Sequence, residues 1–248
     1  MLFRSDDPRR VDWNLYARLD RPYVRLFEEE EDLAVTIVLD GSGSMGWEAE
    51  METSAARWSM AQRLSTALGA IALLNGDVLR GVLLRGDTIA AAWPRARGRA
   101  ALPRWANWIA ELTPGGSSSL GAALKALAQR PIRPGLLLLL TDGYDPTGLR
   151  AGITALAGRG HEVALLHLLT PEEIDPELHG DLRLVDVETE DKQEITVDGA
   201  RLAAYRQHFE AWQADLRKLA GQHRGRYALL RTDLTLQRLL LEELRRAD

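Results

Sequence analysis

With 248 residues, 46% of them hydrophobic and 27% charged, the chain can bury a sizeable core as one α/β domain with additions or as two small domains. A net charge of −5 supplies no general attraction to nucleic acid or to acidic membrane surfaces. The absence of cysteine excludes disulfides, thiol catalysis and zinc–thiolate centres.

Residues 1–32 are charged and irregular. The opening "MLFRSDDPRR" turns polar at once and is no secretory signal; Tyr23 to Phe27 alternate as a short strand would, and Glu28–Asp32 is an acidic run. Arg9, Arg10, Arg18, Arg21 and Arg25 make this segment locally basic, and the acidic run after them points to internal pairing rather than nucleic-acid binding. "LAVTIVLD" (Leu33–Asp40) is β-branched and nearly all apolar, the pattern of a strand buried on both faces of a parallel sheet. Ala55 to Asn75 reads as a helix stopped by Asn75-Gly76. "DVLRGVLLRGDTIAAAW" predicts two strands joined at Arg85-Gly86-Asp87, where Arg-Gly-Asp is simply a turn.

Helices are predicted at about Arg99–Leu112, carrying Trp105 and Trp108 against the sheet, and at Ser119–Gln129. "GLLLLLTD" (Gly135–Asp142) is a second fully buried strand, residues 147–159 form a short helix, and "HEVALLHLL" (His161–Leu169) is a third strand. The apolar runs fall far short of the ~20 residues a membrane helix needs, so the chain is read as soluble and cytoplasmic. Residues 170–198 form an insertion with a hairpin in "LRLVDVETEDKQEITVDG". A long helix follows with Leu202, Tyr205, Phe209, Trp212, Leu216 and Leu219 on one stripe, the pattern of a helix laid on a sheet. "RYALLR" and a final helix, "LTLQRLLLEELRR", close the chain.

Strands alternating with helices predict an α/β fold over residues 33–248: a doubly wound, mostly parallel sheet flanked by helices, with one antiparallel edge strand. Ligands of such sheets sit beyond the carboxyl ends of the strands, where the strand order reverses. Asp40 and Asp142 both end buried strands, so neighbouring positions across the reversal would turn the two carboxylates into one crevice.

The stretch "VLDGSGSMG" (Val38–Gly46) carries the chemistry. Gly41, Gly43 and Gly46 spell a dinucleotide fingerprint, but Asp40 at the mouth of the turn would repel a pyrophosphate, and the segment ~20 residues on is helix where that motif wants a strand-end acid. "SGSMG" approximates a serine-hydrolase elbow at Ser44, yet that nucleophile should follow several strands, and His161, His167, His208 and His223 lie in strands, a helix and its end. A cation reading fits better. Asp40, Ser42 and Ser44 alternate, so their oxygens converge if the loop curls, with Gly41 and Gly43 permitting the curl. "TPGGSSSLGAAL" (Thr113–Leu124) offers Ser117, Ser118 and Ser119 before a helix, and Asp142 adds the second acid. Such hard oxygens suit Mg²⁺ or Mn²⁺.

D-x-S-x-S after a buried strand, a hydroxyl after a G-G loop and a T-D-G strand end resemble the metal-ion-dependent adhesion site of von Willebrand factor type A domains. By that resemblance the metal residues are Asp40, Ser42, Ser44, Ser118 and Asp142, with Ser118 replacing the usual threonine because "SSLGAAL" then overlays T-x-L-x-x-A-L. "DDPRRVDWNLYAR" and "YVRLFEEEEDL", with "ITVDG" and "YALLRTD" later, resemble the bacterial domain-of-unknown-function 58 family. Members usually carry more sequence before this signature, some of it membrane helices, whereas this chain begins almost on it. The resemblance implies no catalytic residues, a Mg²⁺ or Mn²⁺ ion, an acidic side chain on a partner protein as its ligand, and an adaptor or co-chaperone role beside a MoxR-type AAA+ ATPase.

The enzyme alternative is a haloacid-dehalogenase-like phosphohydrolase, with Asp40 as nucleophile, Ser118, Lys125, and the pair Asp142 and Asp145 in the right order. That chemistry wants a second Asp two residues after the first as general acid, and Ser42 stands there. Trp47, three residues past Ser44, is placed to flank the crevice.

Overall fold

A computed structural model of the chain describes residues 32–46, 57–116, 119–176, 180–185 and 192–244, the backbone alone for 181–185 and 192–195. The N-terminal segment with its expected strand, Trp47, Ser117 and Ser118 lie outside the described residues.

The strands are β1 (Ala34–Asp40), β2 (Val78–Arg85), β3 (Thr88–Arg97), β4 (Leu136–Thr141), β5 (Glu162–Leu169), β6 (Gly180–Val185), β7 (Lys192–Val197) and β8 (Arg226–Arg231). The helices are α1 (Gly43–Gly46), α2 (Arg57–Leu74), α3 (Leu102–Glu111), α4 (Leu120–Ala128), α5 (Pro146–Ala157), α6 (Pro171–Ile174), α7 (Gly199–Gln222) and α8 (Leu236–Arg238). Six strands form one sheet in the order β3-β2-β1-β4-β5-β8. Within it β1 runs parallel to β2 and β4, β4 to β5, and β5 to β8, while β3 is the antiparallel edge beside β2. The expected hairpin within 170–198 forms a separate ladder, β6 antiparallel to β7. No helix among the described residues is long and apolar enough to cross a membrane.

The alternation of side chains along β1 explains why it reads as an unbroken apolar run. Ile37 and Leu39 pack with α2 and α3 on one face, and Val38 packs with α4 and α5 on the other. Both faces of the central strands are covered, and Thr36 is the one polar side chain within β1 before Asp40 ends it. Gly81 on β2 makes room for α3: a Cβ there would lie 2.4 Å from Trp108 and 2.6 Å from Trp105. Trp105 is fully buried and meets Trp93 edge-on, and Trp108 packs beside it against the core, as the sequence predicts.

The long helix α7 lies on the sheet by its second half, where Leu216, Leu219 and Ala220 join the core with Tyr227 of β8. Its first half carries Tyr205, 40% exposed and stacked on Phe209, away from that core. The last expected helix changes pitch, with α8 passing into a π turn at Leu239–Glu243, where Leu239 is buried in the core and Leu240 packs against it.

From β1 the chain moves to β2 and β3 on one side, then returns to β4 on the other. The reversal therefore falls between β1 and β4, at the ends occupied by Asp40 and Thr141-Asp142.

Candidate functional site

The register of β1 and β4 sets Leu39 opposite Leu140, so Asp40 and Thr141 end their strands side by side. The Thr141 hydroxyl donates to Asp40 Oδ2 at 2.7 Å, and the Ser42 amide donates to Asp40 Oδ1 at 3.0 Å. The Ser42 and Ser44 hydroxyls then lie 3.0 Å apart, one buried and one at the rim. The loop thus brings the two serine hydroxyls together, though Gly41 serves a different purpose from the one expected. It is outside the left-handed region, and its amide bonds Leu84 O at 2.7 Å. A Cβ at Gly41 would lie 2.8 Å from that same carbonyl oxygen, so the missing side chain allows close approach to β2 rather than curl.

The glycine-rich second loop is laced onto the first. Gly115 N–H donates to Gly41 O, and Gly43 N–H donates to Gly116 O, each at 2.9 Å. Gly115 and Gly116 both have positive φ, which explains the paired glycines. Ser118, expected to supply the loop's hydroxyl two residues after Gly116, lies outside the described residues.

The third loop leaves β4 through Asp142, 2% exposed, into Gly143 at φ +75°. Gly143 N–H donates to the Thr141 hydroxyl at 3.0 Å, and Tyr144 N–H reaches Asp142 Oδ1 at 3.4 Å. Thr141 thus ties the acid of the first loop to the turn that carries the acid of the third.

Several participants carried no signal in the local sequence. Arg57, 1% exposed on α2, donates through Nη1 to Asp142 Oδ2 at 2.8 Å and to Ser44 O at 3.1 Å. Its Nη2 pairs with Glu173 Oε1, and the guanidinium lies 5.7 Å from the Tyr144 ring centroid. Glu173 closes the capping box of α6 with Thr170, accepts from the Tyr144 hydroxyl on its carboxylate, and accepts from Tyr205 on its backbone oxygen. Beneath Asp142, the carbonyl of that residue accepts from His167 Nε2–H at 2.8 Å. That contact fixes the tautomer, so Nδ1 accepts from the Tyr227 hydroxyl at 2.8 Å.

The electrostatics follow from burial. Loss of solvent and then the nearby Asp142 carboxylate raise Asp40 from 3.8 to about 6, against the hydrogen bonds from Thr141 and Ser42. Burial likewise pushes His167 down from 6.5 to about 4, so it is neutral at pH 7. The Arg57 guanidinium is paired with Asp142 on one side and with Glu173 on the other, and the Asp142 carboxylate in turn acts on Asp40. No group of three or more His, Asp or Glu side chains among the described residues is arranged to hold an ion. A cation here would therefore be held by two carboxylates together with hydroxyl and water oxygens, a donor set that suits Mg²⁺ and Mn²⁺. The Ser42 and Ser44 hydroxyls hydrogen-bond each other at 3.0 Å, so the two oxygens that would face such an ion are already side by side.

Asp145 and Lys125, which the phosphohydrolase alternative adds to Asp40 and Asp142, have other places. Asp145 caps α5, its Oδ1 accepting from Gly148 N–H at 2.8 Å and its Oδ2 from Gly121 N–H at 3.4 Å. Lys125 is exposed on α4.

The family model described as "Protein of unknown function DUF58" matches residues 3–219. An uncharacterized protein of Mycobacterium tuberculosis is 27% identical over 234 residues, covering 92% of this chain and 72% of its own. A shorter uncharacterized protein of Mycobacterium avium is 28% identical over 114 residues, covering 46% of this chain and 67% of its own. The crystal structure of the conserved hypothetical protein BatB from Bacteroides thetaiotaomicron superposes with a TM-score of 0.50 at 18% identity, over 86% of this chain and 97% of that one. That likeness is one of fold.

Proposed function

The chain belongs to the DUF58 family of proteins of unknown function, and from its strand-end crevice we propose that it is a divalent-cation-dependent protein-binding module. Asp40, Ser42, Ser44 and the second-loop Ser118 hold Mg²⁺ or Mn²⁺ together with Asp142. The fold is of the von Willebrand A type, and the ion receives an Asp or Glu side chain from a partner protein. The single observation that supports this reading most is the meeting of Asp40 and Thr141-Asp142 across the β1–β4 reversal, with two serine hydroxyls 3.0 Å apart beside them. The raised Asp40 is the second support, because a buried carboxylate repelled by its neighbour gains from an added cation.

Hydroxyl and water ligands leave such an ion under-neutralised, and its shell keeps a position that an incoming carboxylate can take. The chain's own part is to orient oxygens: Thr141 and the Ser42 amide fix Asp40, while Arg57 and the Tyr144 amide fix Asp142. The partner we propose is a MoxR-type AAA+ ATPase or an acidic protein delivered to it, met in the cytoplasm, with this chain as adaptor and without catalysis of its own. Nothing in the geometry favours the phosphohydrolase, since Ser42 replaces its general acid and Asp145 is engaged as a helix cap.

The test is calorimetric titration of the full chain with MgCl₂ and MnCl₂, followed by capture of partners in Mg²⁺ and in EDTA. Saturable one-site binding lost in Asp40→Asn and Ser44→Ala, with an AAA+ ATPase retained only in Mg²⁺, is the expected result. A wild-type chain that binds neither ion would sink the reading.

A further inference from the structure

Arg57 is the most deeply buried charge of the crevice, and its place there has a consequence for any ion that enters. The guanidinium is permanently charged, 1% exposed, and bonded to Asp142 Oδ2 at 2.8 Å and to Ser44 O at 3.1 Å. Both partners belong to the loops that the proposed cation uses. Its second nitrogen is held away from them by Glu173, whose carboxylate is itself fixed by the Thr170 amide at 2.8 Å and by the Tyr144 hydroxyl. The guanidinium is therefore clamped from both ends, and it cannot swing out to water when another cation arrives.

We propose that Arg57 is a tethered counter-cation that occupies Asp142 and sets the affinity of the crevice for a divalent ion, with Glu173 setting how much of its charge the ion meets. This rests on the reading that Asp40, Ser42 and Ser44 hold such an ion. Two cations drawn to one carboxylate repel each other in a site with little water, so the ion binds against Arg57. The arrangement favours an ion that keeps its waters, because a water placed between ion and Asp142 leaves the arginine bond intact. Glu173 acts in the opposite sense, screening the guanidinium from the side away from the crevice. Arg57 thereby becomes a positioning and affinity-setting residue, not a ligand.

The two acidic contacts make opposite predictions for two neighbouring substitutions, which a purely structural role does not. Calorimetric titration with MgCl₂, and Mn²⁺ binding followed by electron paramagnetic resonance, are run on the full chain at fixed pH and salt. Arg57→Gln is expected to bind the ion about tenfold more tightly than wild type, and Glu173→Gln several-fold more weakly. Arg57→Lys, which keeps the charge, stays near wild type. The double variant Arg57→Gln/Glu173→Gln removes one charge of each sign and covers the case in which Arg57→Gln alone does not fold; it is expected to bind more tightly than Glu173→Gln. Weaker or unchanged binding in folded Arg57→Gln, or a double variant no tighter than Glu173→Gln, overturns the proposal while leaving the cation site standing. No binding in wild type or in any variant removes the cation site and this role of Arg57 together.

Discussion

The hydroxyl of Thr141 donates to Asp40 Oδ2 across the β1–β4 seam at 2.7 Å and accepts from Gly143 N–H at 3.0 Å, with no exposure to solvent. One side chain thus serves a buried carboxylate and the turn behind the other acid. Thr141→Val keeps the shape and removes both bonds. It should cost about 2–3 kcal/mol of stability, since a buried carboxylate oxygen and an amide each lose a partner. Asp40 should move further above about 6, because the Thr141 bond is one of the contacts that lower it. Urea unfolding and Mg²⁺ titration at pH 6.5 should show both losses, and Thr141→Ser should recover most of each. A Val variant as stable as wild type would mean the hydroxyl does not serve the acid.

Two buried groups near the crevice titrate in opposed senses. Asp40 is raised from 3.8 to about 6, so the folded state holds its proton more tightly than the unfolded one. Its contribution is present below pH 3.8 and is lost as the pH climbs through about 6. His167 is lowered from 6.5 to about 4. Its contribution is present above pH 6.5 and is lost as the pH falls through about 4. The windows overlap, so between pH 4 and 6.5 the two contributions oppose each other in the wild type. Asp40→Asn should then lose stability on acidification, and His167→Gln should gain it. Chemical unfolding in EDTA across that range checks the signs; parallel profiles for the two variants would refute the opposition.

Much of this arrangement was legible in the chain because it is local. A strand buried on both faces is nearly all apolar, with Thr36 the one polar residue before its end, so the first acid after "LAVTIVL" marks where β1 stops. The same holds for "LLLLLTD", and D-x-S-x-S places its oxygens by adjacency alone. Arg57 was not legible, because on α2 it resembles the other arginines that face water. Only the fold brings it to Asp142, 85 residues away, and to Glu173, 116 residues away. Thr141 reads as the last residue of a strand until the register sets it beside Asp40. His167 reads as one polar residue in an apolar strand until the chain returns through β8 and brings the Tyr227 hydroxyl against it.

The loop glycines are required for different reasons, and substitution should separate them. Gly143 has φ +75°, and a Cβ there would meet His167 Nε2 and Trp212 at 3.1 Å. Gly143→Ala should cost at least the ~1–2 kcal/mol of the left-handed conformation, and Gly143→Asn less, as asparagine tolerates that region. Gly41 has no such φ, but its Cβ would press on the Leu84 backbone oxygen at 2.8 Å, which cannot turn aside. Gly41→Asn should therefore be no better than Gly41→Ala, both costing ~1–3 kcal/mol through overpacking. Thermal unfolding of the four variants decides it; rescue by asparagine at position 41 would contradict the close-approach account.

Asp145 separates the proposed cation site from the phosphohydrolase reading. Pro146 opens α5 at the position where its missing N–H costs nothing, and Asp145 before it accepts from Gly148 N–H at 2.8 Å. Its other oxygen reaches Gly121 N–H near the start of α4, where that helix packs so closely on α5 that a Cβ at Gly121 would lie 2.4 Å from Gly148 Cα. The carboxylate is thus satisfied by two amides that need no ion. Asp145→Ala should cost ~1–2 kcal/mol as a lost cap, and Asp145→Ser should restore most of that through its hydroxyl. Neither should change Mg²⁺ affinity, because the cap lies outside the oxygens of Asp40, Ser42 and Ser44. As the second acid of a catalytic pair, Asp145 would instead be needed for ion binding and for phosphate release from a generic ester. Mg²⁺ binding that fails in both variants while their folds persist would therefore move the chemistry to Asp142 and Asp145 and away from the first loop.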